Sequence, residues 1–178
     1  AANNIVRIPQ TLGEGFRNLQ YLDLGYNALD SFALISLTLL PNLREVDLSG
    51  NNITDLPTQL SSFPALEKIV LDNNKIKDRS VFVTLGKIHN IREVSLAYNF
   101  IDAVPEYVCV DGFFRVLEFL DLSFNYIGNE EDIMCVPRIL RLETLIIYGN
   151  PLLGPSGEDQ LQMYVSNRGP PYSHPLTR

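Results

Sequence analysis

The chain has 178 residues, of which 46% are hydrophobic, and its formal net charge is −7 at pH 7. A chain of this length predicts one domain with a substantial core, and the acidic balance disfavours non-specific binding to nucleic acid or anionic membranes. No apolar run reaches the ~18 residues that a transmembrane helix requires.

Residues 1–18 carry part of a motif that later recurs in full. The segment Asn3-Asn4-Ile5-Val6-Arg7-Ile8-Pro9 mirrors Asn51-Asn52-Ile53-Thr54-Asp55-Leu56-Pro57, and Asn3 stands in register with Asn27. The strand that should precede Asn3 is missing. We therefore expect a partial leading repeat at 1–18 in a chain that is a piece of a larger protein or complex.

Six copies of one motif fill residues 19–152. The motif has apolar residues at positions 1, 4 and 6, Asn at position 9 and an apolar residue at position 11. The first residues of the six copies are Leu19, Leu43, Leu66, Ile91, Leu117 and Leu142. The spacing predicts a short strand in each copy, with positions 4 and 6 facing a core. Because one copy cannot bury that face alone, the copies are expected to stack into a solenoid with one parallel sheet.

An asparagine occupies position 9 of every copy, where the chain must turn sharply after the strand. Its side-chain amide can bond the backbone groups that the turn leaves unpaired. We predict a structural ladder inside the bend, made of Asn27, Asn51, Asn74, Asn99, Asn125 and Asn150.

The returning segments are of two alternating kinds. A proline follows Asn3, Asn51 and Asn99, and it favours an extended or polyproline-like return. The other returns carry three apolar residues spaced by three, which predicts helical or 3₁₀ turns. These residues are Leu34, Leu37 and Leu40, then Phe82, Leu85 and Ile88, and finally Ile133, Val136 and Ile139. After the last copy we expect a capping segment at 153–168 and an extended tail at 169–178.

Two cysteines, Cys109 and Cys135, each lie ten residues after a ladder asparagine. They therefore occupy equivalent places in neighbouring coils, and a disulfide between them is geometrically conceivable. We expect instead two reduced, partly buried thiols in a reducing compartment.

The sequence carries no recognisable catalytic constellation. No Cys or His pair has metal-ligand spacing, and there is neither a phosphate loop nor a nucleophile with an obvious base. We predict no enzymatic activity and no cofactor.

The outward strand positions 3 and 5, together with position 8 at the rim, are expected to bind a partner protein. They mix aromatic, acidic and apolar side chains. An acidic patch of Asp23, Glu45 and Asp47 would receive Lys or Arg, and Val70, Phe119 and Ile146 would receive an apolar anchor. The predicted partner-binding residues are Tyr21, Asp23, Tyr26, Glu45, Asp47, Lys68, Val70, Glu93, Tyr98, Phe119, Asp121, Phe124, Ile146 and Tyr148.

The six motifs identify the chain as a member of the leucine-rich repeat proteins, whose fold is an α/β repeat solenoid. The resemblance implies a right-handed horseshoe with a parallel concave sheet and a convex side of mixed extended, 3₁₀ and helical segments. The Asn150-Pro151 turn and the lack of cysteine-rich caps resemble the intracellular branch, whose members are non-catalytic scaffolds or adaptors. That resemblance implies a cytoplasmic, axonemal or nuclear location, and no binding to nucleic acid or membrane is expected.

A narrower resemblance rests on Phe63-Pro64-Ala65-Leu66-Glu67, on Leu71-Asp72-Asn73-Asn74 and on the Phe82-x-x-Leu85 return. These blocks are similar to the X-ray radiation resistance-associated protein family and its ciliary relatives. An alternative function is therefore a static structural component of a large assembly such as the ciliary axoneme. Such a component would be held through its rims, ends and tail.

Overall fold

In a computed structural model, which describes residues 2–110 and 112–153, the chain forms one six-stranded parallel sheet. Each strand covers positions 3 to 5 of one motif, and the strand order follows the chain. The predicted solenoid is confirmed, while the tail at 169–178 and all but the first residue of the expected capping segment lie outside the described residues. The strands are β1 (Tyr21–Asp23), β2 (Glu45–Asp47), β3 (Lys68–Val70), β4 (Glu93–Ser95), β5 (Phe119–Asp121) and β6 (Thr144–Ile146).

The core lies on the inner side of the sheet, where positions 4 and 6 of the motif meet the returning segments. In coils two to six, position 4, which lies in the strand, and position 6, which directly follows the strand, are fully buried. Leu22 and Leu24 are the exception and are only half-buried. Leu22 lies in β1 and Leu24 directly follows it, and no described strand packs against the outer edge of β1.

The returns that carry three spaced apolar residues are helical, as predicted. The first is a long 3₁₀ helix, Ser31–Leu39, and the second is an α-helix, α2 (Val81–Gly86). The third is split into the 3₁₀ helices Glu130–Ile133 and Val136–Arg138. Their apolar residues face inward and are buried, so these segments cover the core from the convex side.

The proline-containing returns hold no helix between the asparagine and the proline. Pro57 and Pro105 have φ near −60° and ψ near +137°, the polyproline conformation. A short 3₁₀ helix then follows each, at Thr58–Ser62 and Glu106–Val108, and the first return contains α1 (Leu12–Gly15). The predicted extended or polyproline-like return therefore ends at the proline, and Leu60 and Val108 turn inward after it to fill the core.

The asparagine side chains lie inside the bend and join neighbouring coils. Asn99 accepts a hydrogen bond from the backbone N–H of Ile76 and donates to the carbonyls of Leu71, Leu96 and Ala97 at 3.0–3.2 Å. The same pattern recurs at Asn51, Asn74 and Asn125.

Asn27 and Asn150 stand at the two ends of this ladder. Asn27 accepts from the N–H groups of Asn3 and Ile5, so the partial leading repeat is in register with the first full coil. Asn150 accepts from the N–H of Ile127 and donates to the carbonyl of Leu122, both in the preceding coil.

Cys109 and Cys135 are joined by a disulfide between the returning segments of the fourth and fifth coils. Their Cα atoms are 5.6 Å apart, within the range that a disulfide spans. The expectation of two reduced thiols is therefore wrong. Both residues are buried, because stacking brings equivalent places of adjacent coils into contact.

The ion pairs of the described residues link one coil to the next. Arg44 contacts Glu67 at 2.7 Å, and Arg92 contacts Glu118. Exposed pairs of this kind contribute at most about 1 kcal/mol each, so they set register more than stability. The remaining pairs are Lys68–Glu93, Arg79–Asp102 and Arg138–Glu106.

Candidate protein-binding face

The outward side chains of the sheet form two straight rows, because every strand pairs with the next in the same register. Tyr21 lies opposite Glu45, Glu45 opposite Lys68, and the row continues through Glu93, Phe119 and Thr144. The second row runs Asp23, Asp47, Val70, Ser95, Asp121 and Ile146. Neighbours within a row belong to strands about 4.8 Å apart, so the rows are continuous surfaces.

Three carboxylates of the second row bond their own turns. Asp23 accepts the N–H of Gly25, Asp47 that of Ser49, and Asp121 that of Ser123, at 2.8–2.9 Å. Each aspartate therefore fixes the backbone where the strand ends and still presents its charge on the outward face. The predicted binding residues Asp23, Asp47 and Asp121 thus also have a structural role.

In the fourth coil the second row has Ser95 in place of an aspartate. Asp72 of the third coil bonds the turn of the fourth coil instead. Its Oδ1 accepts the hydroxyl of Ser95 at 2.6 Å and the N–H of Ala97 at 3.0 Å. Burial raises the pKa of the Asp72 carboxyl above its usual value, and the neighbouring Asp121 and Asp47 charges raise it further. The predicted set omitted Asp72, because it lies at motif position 7, between the outward strand positions and the rim.

A shallow depression of about 340 Å³ lies at the centre of the face. Val70 and Phe119 give it apolar walls, and Asp72 and Ser95 give it a polar edge. Lys68 and Glu93 also line it and form an ion pair at 2.7 Å, with the Lys68 pKa raised mainly by that hydrogen bond. The Lys68–Glu93 pair has no net charge, so the Asp72 carboxylate makes the electrostatic potential in the depression negative.

Position 8 of the motif forms the rim and adopts left-handed backbone conformation in coils one to six. Its φ lies between 51° and 71°, and the residues there are Tyr26, Gly50, Asn73, Tyr98, Phe124 and Gly149. Glycine is needed in two coils because a Cβ on Gly50 would lie 2.6 Å from the Tyr26 ring, and one on Gly149 would lie 2.5 Å from Phe124. The aromatic ring of the preceding coil thus lies against each of these glycines.

The rim of the last three coils carries a stack of aromatic rings. Tyr98 and Phe124 are parallel with centroids 4.2 Å apart, and Phe124 meets Tyr148 edge-on at 4.9 Å. We call Tyr98, Phe124 and Tyr148 the rim stack. Tyr98 is 49% exposed and Phe124 is 36% exposed. The stack brings together three of the residues predicted from sequence.

A second aromatic pair lies on the other side of the asparagine turn, at position 10. Phe100 and Tyr126 are nearly parallel with centroids 5.7 Å apart, and both are exposed. The sequence prediction did not include this pair, because position 10 follows the asparagine and is neither an outward strand position nor the rim. The aromatic residues at position 10 of two successive motifs are the signal that would reveal it.

The described residues hold no group of three or more His, Cys, Asp or Glu side chains arranged to bind a metal ion. In the same part of the chain, no helix is both long and apolar enough to cross a membrane. What the face offers is a mixed acidic, apolar and aromatic surface.

The repeats, the parallel sheet and the asparagine bend define the class of fold: the chain forms a leucine-rich repeat solenoid. A family model described as "Leucine rich repeat" matches residues 1–53, and "Leucine Rich repeats (2 copies)" matches residues 41–82.

Individual relatives share the repeat over part of their length. The chain is 35% identical over 123 residues to X-ray radiation resistance-associated protein 1 from Mus musculus, covering 59% of this chain and 16% of the relative. It is 30% identical to acidic leucine-rich nuclear phosphoprotein 32 family member A from Drosophila melanogaster, covering 61% of this chain and 44% of the relative.

The fold is similar to a crystal structure of an internalin from Listeria monocytogenes, with a TM-score of 0.61 and 17% identity. That likeness covers 84% of this chain and 46% of the internalin, and it concerns the fold alone. The chain thus spans less than half the length of each of these three proteins.

Proposed function

We propose that the chain is a non-catalytic protein-binding module that receives a partner on the concave face. The observation that carries the proposal is the presence of Val70, Phe119 and Ile146 on the outward side of the sheet, each partly exposed. A solvated sheet face is ordinarily polar, and exposed apolar surface rimmed by polar residues is typical of interaction sites.

The acidic patch of Asp23, Glu45 and Asp47 gives the partner its expected charge. The three residues are neighbours in the register of β1 and β2, and Asp23 and Glu45 are exposed. A partner with Lys or Arg opposite this patch and an apolar anchor opposite Val70 would be complementary. The leucine-rich repeat relatives support a role in protein interaction.

An intracellular location, in the cytoplasm or nucleus, belongs to the same proposal. Its support is the relative whose name describes a nuclear phosphoprotein. The Cys109–Cys135 disulfide weighs against it, because such bonds persist mainly in oxidising compartments. Microscopy of the tagged, full-length natural protein would decide it: secretion would overturn the intracellular location.

The binding role is tested with variants that keep the fold. Asp23→Asn, Glu45→Gln and Asp47→Asn together remove three charges, while the amide oxygens at positions 23 and 47 can still accept the turn N–H groups. Val70→Thr with Ile146→Thr removes apolar surface and keeps β-branched side chains in the strands. Leu140→Ser is the matched control, since Leu140 is exposed on a return rather than on the sheet.

Each variant is compared with the wild type in quantitative affinity purification, followed by titration against the partner recovered. We expect the charge variant to bind at least about tenfold more weakly at low salt, with a flatter salt dependence. The apolar variant should lose a similar factor without a change in salt dependence. Equal binding by the wild type and both variants would refute the concave face as the binding site.

A further inference from the structure

At the centre of the concave face, the Asp72 carboxylate lies beside the coil that carries the exposed rim residue Tyr98. Asp72 Oδ1 bonds the N–H of Ala97, which places this carboxylate beside the residue that precedes Tyr98. Tyr98 is the first ring of the rim stack, and one of its faces lies on Phe124. The preceding coil has Asn73 rather than a ring at the same rim position, and Tyr98 is 49% exposed, so we call its ring face opposite Phe124 the free face.

The depression next to Asp72 offers room for a side chain to reach this carboxylate. Its apolar walls, Val70 and Phe119, suit the methylene stem of a long side chain. Lys68 does not repel a cation strongly, because Glu93 neutralises it at 2.7 Å. The further charges that act on Asp72, those of Asp121 and Asp47, are both negative.

We propose that this place is an arginine-binding site for the partner polypeptide, with the guanidinium stacked on the free face of Tyr98 and paired with Asp72. The site rests on the proposed function, because it assigns one side chain of the partner to the concave face. It lies in coils three and four, apart from the acidic patch of β1 and β2.

Arginine fits better than lysine for geometric reasons. A guanidinium is planar, so it can lie flat on a ring while its N–H groups bond a carboxylate at its edge. An ammonium group is strongly hydrated and makes no such flat contact. Both hydrogen bonds that Asp72 accepts within the described residues are to Oδ1, which leaves Oδ2 for the guanidinium. A bound cation would also offset the like charges that raise the Asp72 pKa.

The chain itself provides the substitutions that test the site. Tyr98→Asn copies the third coil, where Asn73 already adopts φ +54° at this rim position, so the turn is preserved. Asp72→Asn keeps an oxygen acceptor for Ser95 and Ala97 and removes the charge. Asn73→Tyr adds a ring that covers the free face of Tyr98. The controls are Tyr107→Leu, an exposed ring on a return, and Glu14→Gln, an exposed charge on α1.

The probes are N-acetyl-arginine amide, N-acetyl-lysine amide and N-acetyl-citrulline amide, each titrated into the isotope-labelled 178-residue chain. We expect arginine amide to give saturable shifts of the backbone amide signals of Asn73, Ala97 and Tyr98. Lysine amide should bind about threefold more weakly, and the neutral citrulline amide more weakly still. Tyr98→Asn, Asp72→Asn and Asn73→Tyr should each weaken the arginine response about threefold or more, whereas both controls should leave it unchanged.

Arginine shifts scattered over all surface carboxylates, or a response that survives Tyr98→Asn and Asn73→Tyr, would overturn the arginine site. Because the titration uses no partner, that failure would leave the proposed function intact. Failure of the proposed function would show itself separately, in unchanged binding of the recovered partner by the sheet variants. Circular dichroism of each variant establishes that a lost response is not lost folding.

Discussion

The first three coils and the last three share the same strand and asparagine turn, yet they present different surfaces. In both halves the asparagines lie in equivalent bends, and the strands pair without a shift in register. The rim differs: coils two and three carry Gly50 and Asn73, whereas coils four to six carry the rim stack. Packing with neighbours thus constrains the inward positions of each coil, and the outward positions are free to carry chemistry.

The largest expected effect comes from a comparison of two single variants of the asparagine ladder, one in the interior of the array and one at its end. Asn99→Ala leaves one buried N–H and three carbonyls without their side-chain partner, and we expect a loss of about 4 kcal/mol in the free energy of unfolding. Asn27 is only half-buried, so water can replace its bonds, and Asn27→Ala should cost about 1 kcal/mol. Urea denaturation measures both, and equal losses would contradict a difference in burial between the interior and the end.

Reduction of the Cys109–Cys135 disulfide should destabilise the second half selectively. The bond spans 26 residues, and the loop-closure model gives about 3 kcal/mol for a loop of that size. Because coils contact only their neighbours, amide exchange should quicken at Ile101 and Ile127 and change little at Leu29.

The disulfide experiment compares oxidised and reduced protein by hydrogen exchange and urea denaturation. The double variant Cys109→Ala and Cys135→Ala is the control and should not respond to reductant. Two free thiols in the mass spectrum of the unreduced protein would contradict the bond itself.

A smaller effect compares the two glycines of the rim. Gly149→Ala and Gly50→Ala both place a Cβ at positive φ and against a ring, so each should cost about 1–2 kcal/mol. Gly149→Ala should cost more, because Phe124 is held between Tyr98 and Tyr148, whereas Tyr26 is 61% exposed and can move aside. Thermal unfolding measures the costs. Gly15→Ala, which meets nothing within 4 Å, should not destabilise, and a rim variant as stable as this control would show that the rings yield freely.

The sequence predicted the strands and the helical returns because their residues repeat at fixed spacing and pack against one another. The short 3₁₀ helices after Pro57 and Pro105 were not predictable in the same way, since each carries one buried apolar residue rather than a periodic set. The sequence did not determine whether the disulfide forms, because equivalent places in adjacent coils do not fix the distance between two Cα atoms.

The outward face was less predictable. Counting motif positions located the two rows of outward side chains. It could not show that Asp72 bonds the turn of the fourth coil, where Ser95 stands in place of an aspartate. Nor could it show that Tyr98 and Phe124 stack, because ring orientation depends on side chains of the next coil. Whether the predicted residues bind a partner stays a prediction.

The ion pairs at motif position 2 affect how such an array could change its length. The column reads Gln20, Arg44, Glu67, Arg92, Glu118 and Glu143, and Arg44 and Arg92 each contact the glutamate of the following coil. Deleting the coil of Glu67 alone would set Arg44 beside Arg92, two like charges. Deleting two adjacent coils, those of Glu67 and Arg92, would set Arg44 beside Glu118 and restore an attractive pair. Loss of these two coils together would therefore conserve the electrostatic pattern, whereas loss of either one alone would bring like charges side by side.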